Sequence, residues 1–179
     1  MKEIEVKIRN IDKEDIISKI EKRGAQKVFA GKVIDIRYDT SERTLSRQGK
    51  AMRIRQKGRL FYLNFKGKKK SIQNITGRDE IGVRIGNLKV MQKILNELGY
   101  NKIFELVKYR TEYRLGDVVF DIDEYVGMEP ILEIECESYA KVQEEVDKLN
   151  IQKEDIGRVY IREVLAARKK FDEQKAKER

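Results

Sequence analysis

Apolar and charged side chains alternate through most of this chain, and the N-terminal run Glu3-Ile4-Glu5-Val6-Lys7 does so without a break. In an extended strand successive side chains point to opposite faces, so Glu3, Glu5 and Lys7 share one face and Ile4, Val6 and Ile8 the other. The same period of two predicts strands over 2–8, 33–39, 51–57, 60–66, 78–85, 105–115, 117–125 and 131–137. Lys57-Gly58 and Gly116-Asp117 stand where tight hairpins would join two pairs of them. Helical periodicity occupies the rest. A helix over 12–23 would run from an Asp12 cap to a stop at Gly24. Another over 88–98 follows Asn87 and ends at Gly99, with Met91, Ile94, Leu95 and Leu98 on one face. A third over 139–149 follows Ser138 and carries Val142, Val146 and Leu149 in a stripe. The tail from about 158 to 176 is helical, turns polar after Phe171 and is expected to fray at its end. Segment 67–77, with three lysines, Asn74 and Gly77, reads as a mobile basic loop. Pro130, the single proline, just precedes a strand.

Each predicted strand has one apolar and one charged face. Met52 and Ile54 oppose Arg53, Arg55 and Lys57, while Phe61, Leu63 and Phe65 oppose Tyr62, Asn64 and Lys66. Ile81, Val83 and Ile85 oppose Arg78, Glu80 and Arg84. Val107, Tyr109 and Tyr113 oppose Lys108, Arg110 and Glu112. Phe120 and Ile122 oppose Asp121 and Asp123, and Leu132 and Ile134 oppose Glu133 and Glu135. For any single strand the simplest expectation is a charged face in water. Two features of the set oppose that. Water-facing strand positions ordinarily mix Thr, Ser and Gln with charge, whereas these hold little but carboxylates and cations. The apolar strand faces and the helical stripes also need one another. Helices outside the sheet would cover the apolar faces, leaving the charges to point inward. The expected architecture is therefore α+β: an eight-stranded antiparallel closed β-barrel, or tunnel, with a charged interior and flanking helices, in one domain over 1–179.

Composition sharpens this. The chain has 179 residues, 40 of them Lys or Arg and 31 Asp or Glu, for a formal charge of +9. A basic surplus suits an anionic partner, although a densely charged surface of thermophile type would give similar numbers. No apolar run is long enough to span a membrane and the N-terminus has no signal-peptide pattern, so a cytoplasmic location is expected. Cys136, the single cysteine, lies on the apolar parity of its strand and reads as a buried structural thiol. The absence of histidine excludes Ser-His-Asp and Cys-His catalysis and His-ligated zinc. Gly67-Lys68-Lys69-Lys70-Ser71 lacks the upstream glycine spacing of a P-loop.

A tunnel holding both charge types must be wet and must hold ions or a charged ligand. Glu3 and Glu5 stand about 6–7 Å apart on one strand face, close enough to share a divalent cation. The cations Lys7, Arg53, Arg55, Lys66, Lys108 and Arg110 could bind several phosphates, and the carboxylates Glu3, Glu5, Glu80, Asp123, Glu133 and Glu135 could hold Mg²⁺ or Mn²⁺. Polyphosphate with metal is the chemistry in which both sets belong in one cavity.

These residues resemble the CYTH, or triphosphate tunnel metalloenzyme, superfamily, which includes class IV adenylyl cyclases, thiamine triphosphatases and inorganic or RNA triphosphatases. Glu3, Glu5 and Lys7 match its N-terminal Glu-x-Glu-x-Lys, and Asp35-x-x-Tyr38-Asp39-Thr40 resembles its second strand. Arg53 with Arg55, Phe65-Lys66-Gly67, Lys108 with Arg110, and Asp123 followed by Glu133-Ile134-Glu135 match its later strands. The likeness extends to about residue 165. Two positions depart from it: Gly82 stands where the family has Glu, and Glu129 where a glycine is expected. The resemblance implies metal at Glu3, Glu5, Glu133, Glu135 and Asp123, with Glu80 as an additional carboxylate. It implies a triphosphate along Lys7, Arg53, Arg55, Lys66, Lys108 and Arg110, and chemistry centred on Glu3, Glu5, Lys7 and Glu133. The expected activity is a metal-dependent adenylyl cyclase converting ATP to cyclic AMP and pyrophosphate, with hydrolysis of tripolyphosphate, thiamine triphosphate or a nucleoside triphosphate as the alternative. A non-catalytic polyphosphate- or RNA-binding module is a further alternative, although the interspersed carboxylates oppose a simple nucleic-acid groove and no specific nucleic acid is expected. Relatives are commonly homodimers.

Overall fold

The computed structural model describes residues 2–72, 74–157 and 159–177. Nine strands form one antiparallel sheet: β1 Lys2–Ile8, β2 Gln26–Asp39, β3 Ala51–Lys57, β4 Leu60–Lys66, β5 Lys70–Ile72, β6 Ile75–Ile85, β7 Asn101–Leu115, β8 Val118–Glu124 and β9 Ile131–Cys136. Their order is β1-β9-β8-β7-β2-β3-β4-β6-β5, and β1 also pairs with β6. That last pairing, with Glu3 opposite Arg78 and Glu5 opposite Thr76, closes eight strands into the expected barrel and leaves β5 outside it. Closure removes the sheet edges that an open arrangement would expose. Among the described residues no helix is long and apolar enough to cross a membrane.

The hairpins fall where the glycines predict. Leu115 pairs with Val118 and Lys57 with Leu60, and Gly58 and Gly116 both take φ of +60°. Helix α1, Lys13–Lys22, is capped by Asp12, whose carboxylate accepts from Asp15 N at 2.9 Å. The caps of α3, Leu88–Glu97, and α4, Tyr139–Lys148, are Asn87 and Ser138. Helix α5 runs Ile161–Lys177, through the turns expected to fray; the expected start at 158 lies outside the described residues.

Three expectations need correction. Segment 67–77 is a hairpin rather than a loop: β5 pairs with β6, Lys70 opposite Gly77 and Ile72 opposite Ile75, around Asn74 with φ of +68°. Its lysines gave it a loop's composition, yet exposed lysines are what an outer edge strand carries. Second, β2 and β7 are longer than the alternation suggested, because irregularities in their register at Lys27/Phe29 and Arg37/Tyr38 break the period of two. Third, a short helix that periodicity missed, α2 Thr44–Arg47, follows β2. It is held by Asp39, whose carboxylate accepts from Leu45 N, Ser46 N and the Ser46 hydroxyl.

The apolar faces point outward from the barrel, and helices cover much of them. The larger core joins Ile4, Val6, Phe120, Ile122, Leu132 and Ile134 to Ile16 and Ile20 of α1 and Val142, Val146 and Leu149 of α4. Cys136 is buried there, as expected. The second core sets Leu88, Met91 and Leu95 of α3 over Tyr38, Met52, Ile54, Phe61 and Leu63. The cover is incomplete: Ile81 and Val83 are 65% and 57% exposed, and Ile94 and Leu98 of α3 remain exposed. The helices are too short to sheathe the whole barrel, so α3 buries only one edge of its apolar face.

Gly77 admits α4 to the barrel wall, because a Cβ there would overlap the Tyr139 hydroxyl and stand 3.0 Å from Tyr139 Cζ. Gly77→Ala is expected to cost about 1–3 kcal/mol in denaturant unfolding, with Tyr139→Phe recovering part of the loss. Equal losses in the presence and absence of the tyrosine hydroxyl would refute this account.

Candidate metal and phosphate tunnel

The charged faces meet inside the barrel around a cavity of about 1120 Å³. Glu3, Glu5, Lys7, Arg53, Arg55, Lys66, Glu80, Lys108, Arg110, Asp123, Glu133 and Glu135 all line it. The tunnel therefore gathers every site residue anticipated from the sequence. It adds several that were not singled out: Asp35, Arg37, Asn64, Arg78, Lys68, Lys69 and Tyr125.

Inside, the charges pair across strands. Lys7 on β1 bonds Glu133 on β9, and Lys66 on β4 bonds Glu3 while standing 2.6 Å from Glu80. Arg78 donates to Glu3 at 3.0 Å and lies 3.6 Å from Glu5. Arg55 grips Asp35 with a two-pronged fork at 2.7 and 2.8 Å. Arg53 reaches Asp35 at 3.5 Å and Glu80 at 3.4 Å. On β7 and β8, Asp123 accepts from Lys108 at 2.5 Å and from Arg110 at 2.6 and 2.7 Å. Arg110 also bonds Asp121, whose second oxygen is buried without a partner.

These contacts set the protonation states. Burial alone would raise the Glu5 carboxyl, but Lys7, Lys66 and Arg78 overcome it and hold the pKa at about 2. Burial and then the Arg110 charge pull Lys108 down to about 7. Asp123 is held below the ordinary carboxylate range, since Lys108 and Arg110 outweigh its burial.

Glu135 differs from its neighbours. It makes no ion pair among the described residues, and Lys66 only partly offsets its surroundings. Burial first, and then the Glu3 charge, push its pKa up to about 7. Glu3, Glu133 and Glu135 each turn one carboxylate oxygen to a common point, the three oxygens lying within 4.8 Å of one another. Such a donor set suits a hard divalent cation, which would relieve the repulsion that raises Glu135. Glu5 lies beside this group, opposite Glu135 in the β1–β9 register. Asp123 stands apart from it in the fork of Arg110.

A family model described as the CYTH domain matches residues 1–160. The chain belongs to the CYTH domain family. A Methanocaldococcus jannaschii protein named "Putative adenylate cyclase" is 30% identical over 168 residues, 88% of this chain and 95% of that protein. A Vibrio parahaemolyticus structure with a like name has a TM-score of 0.79 at 20% identity, covering 92% of this chain and 97% of that one. A Hippeastrum structure, described as a cyclase by name with a dominant triphosphatase activity, has a TM-score of 0.59 at 16% identity over 83% of this chain and 88% of that one.

Both departures from the CYTH pattern have local explanations. Asn64 fills the space at Gly82, where a Cβ would stand 2.6 Å from Asn64 Nδ2. The turn before β9 is made by Gly127, at φ of +78°, instead of residue 129. Arg78 and Asp35 were visible as inward-parity charges. Arg37 shares the parity of Asp35 on β2, so its inward direction was visible too; that it would lack a carboxylate partner was not.

The pKa of Glu135 supplies a pH test. Ionising it in the metal-free fold costs stability that the unfolded chain, titrating near 4.5, escapes. The raised folded pKa means the penalty is absent below about pH 4.5 and complete above about pH 7. Metal-free Glu135→Gln is therefore expected to melt above the wild type at about pH 8 and level with it near about pH 4.5, by scanning calorimetry. Saturating Mn²⁺ should reverse the order at the higher pH. A difference that ignores pH would refute the assignment.

Proposed function

We propose that this chain is a divalent-metal-dependent enzyme acting on a triphosphate, with cyclisation of ATP as the leading reaction. The observation that carries the reading is the convergence of Glu3, Glu133 and Glu135 beside a wall of cations within one cavity. A bound Mg²⁺ or Mn²⁺ would supply charge neutralisation and orientation at the phosphates. Glu3, Glu133 and Glu135 would hold it, with Glu5 beside them. Arg53, Arg55, Lys66, Lys108 and Arg110 would exchange part of their carboxylate contacts for phosphate oxygens and so fix the chain for in-line attack. In cyclisation the ribose 3′-oxygen bonds to the α-phosphorus, the bond from that phosphorus to the bridging oxygen breaks, and pyrophosphate leaves. The hydroxyl proton passes to solvent or a tunnel carboxylate. No protein nucleophile is required, in keeping with a chain that has no histidine.

The relative at 30% identity with a cyclase name supports this version. Hydrolysis, with water replacing the ribose hydroxyl and attacking a phosphorus, is the second reading. It is favoured by the Hippeastrum protein, in which a cyclase name accompanies a dominant triphosphatase activity.

A panel of ATP, thiamine triphosphate and tripolyphosphate, each with Mg²⁺ or Mn²⁺, separates the two. Cyclic AMP and pyrophosphate from ATP are expected, EDTA should abolish turnover, and Glu5→Gln should lower kcat by on the order of 100-fold or more. Rapid phosphate release without cyclic AMP would overturn the cyclase version. Binding without turnover of any substrate would overturn both.

A further inference from the structure

The tunnel arginines are not equivalent. Arg53, Arg55, Arg78 and Arg110 each contact at least one carboxylate. Arg37 lines the same cavity and contacts none among the described residues. Its guanidinium carbon lies 5.8 Å from the centre of the Phe104 ring, which leaves the fork of N–H donors free of any anion.

The surroundings explain why no partner is available. Arg37 stands opposite Arg53 on β3 and Phe104 on β7. On its own strand, Asp35 is taken by the Arg55 fork, and Asp39 is saturated by the backbone and hydroxyl groups at the start of α2. The neighbouring inward positions of β7 are the apolar Phe104 and Leu106. The nearest acid on β7, Glu105, is bonded to Lys102. Burial and the adjacent Arg53 charge lower the Arg37 pKa to about 10, which still leaves the group charged at neutral pH.

An uncompensated cation inside a barrel is a cost to the empty fold, and an incoming anion removes it. The paired cations must loosen a carboxylate before they can take a phosphate. Arg37 gives nothing up, so its hydrogen bonds to an anion would count in full. Two further polar atoms lie unsatisfied on the same cross-strand row. Arg53 Nε and Asn64 Oδ1 are buried with no hydrogen-bond partner among the described residues, and Arg37, Arg53 and Asn64 are consecutive cross-strand neighbours.

We infer that Arg37 is a substrate-binding residue that takes a phosphoryl oxygen of the polyphosphate chain, with Phe104 holding its guanidinium plane in place. This rests on the triphosphate reading above and extends it to a residue outside the matched motif positions. The row that contains Arg37 continues a run of linked ion pairs from Glu3 through Lys66 and Glu80 to Arg53. A chain of at least three phosphates would therefore span from the carboxylate group toward Arg37, and Arg37 would favour triphosphates over diphosphates.

The test is calorimetric titration in EDTA of tripolyphosphate, ATP and pyrophosphate into wild type, Arg37→Gln, Arg37→Lys and the surface control Lys102→Gln. Arg37→Gln should weaken tripolyphosphate and ATP by about 10- to 100-fold, and pyrophosphate by much less. Arg37→Lys should recover part of the loss, and the control Lys102→Gln should bind all three probes as the wild type does. The melting temperature of Arg37→Gln should equal or exceed that of the wild type, because removing an unpaired charge costs the fold nothing. Wild-type affinity in Arg37→Gln would overturn the inference alone, as would a loss confined to ATP, which would place the nucleoside at Arg37. A wild type that binds none of the probes, either in EDTA or with saturating Mn²⁺, would overturn the triphosphate reading together with it.

Discussion

Lys66 extends from β4 to Glu3 on β1 and Glu80 on β6, so one ammonium group joins three strands inside the barrel. Contacts of this kind are the condition on which the fold exists. Closing the sheet turns its charged face inward, where each unpaired ion would cost several kcal/mol. The tunnel meets that condition by alternating signs between strands: Lys7 against Glu133, Arg55 against Asp35, Arg110 and Lys108 against Asp123. The outward apolar faces then supply the ordinary driving force, packed under α1, α3 and α4. The barrel is inverted relative to a filled β-barrel, with its oil outside and its ions within.

The same pairing limits what the tunnel can do. A cation already bonded to a carboxylate is held in place for a phosphate, and the exchange of one anion for another changes little charge. That keeps the barrel stable when empty and, on the proposed reading, would let it take up a highly charged substrate. The pairing is also uneven. Among the described residues Glu135 makes no ion pair with a cation and Arg37 none with an anion, and both face the cavity. One unbalanced carboxylate beside Glu3 and Glu133, and one unbalanced guanidinium beside Arg53, mark where a divalent cation and a polyphosphate would complete the charge balance.

Glycine and turn residues place these charges. Gly77 lets Tyr139 lie against β6, where β1 closes the barrel, and Asn64 occupies the room that Gly82 leaves. Asp39 spends its whole carboxylate on α2 and so cannot serve Arg37 two positions earlier on β2. A local capping requirement thus decides the electrostatics of the cavity.

Strand identity, face and charge were legible in the sequence because a period of two survives wherever a strand is regular. Glu3, Glu5, Lys7, Arg53, Arg55, Lys66, Lys108, Arg110, Asp123, Glu133 and Glu135 could be assigned inward from their parity alone. Parity turned Arg37 inward with Asp35 but could not show that it would lack a partner, and the lysines of 67–77 hid an edge strand behind a loop's composition. Helix cover was overestimated at Ile81, Val83, Ile94 and Leu98, since a helix's apolar stripe does not say how far along a barrel it reaches. What the sequence determined by itself is an inventory: which charges share the inner face and that both signs are present. Which carboxylate meets which cation, and which are left over, was decided only by barrel closure. Pairing depends on cross-strand register and tilt, and those are set by contacts between residues far apart in the chain.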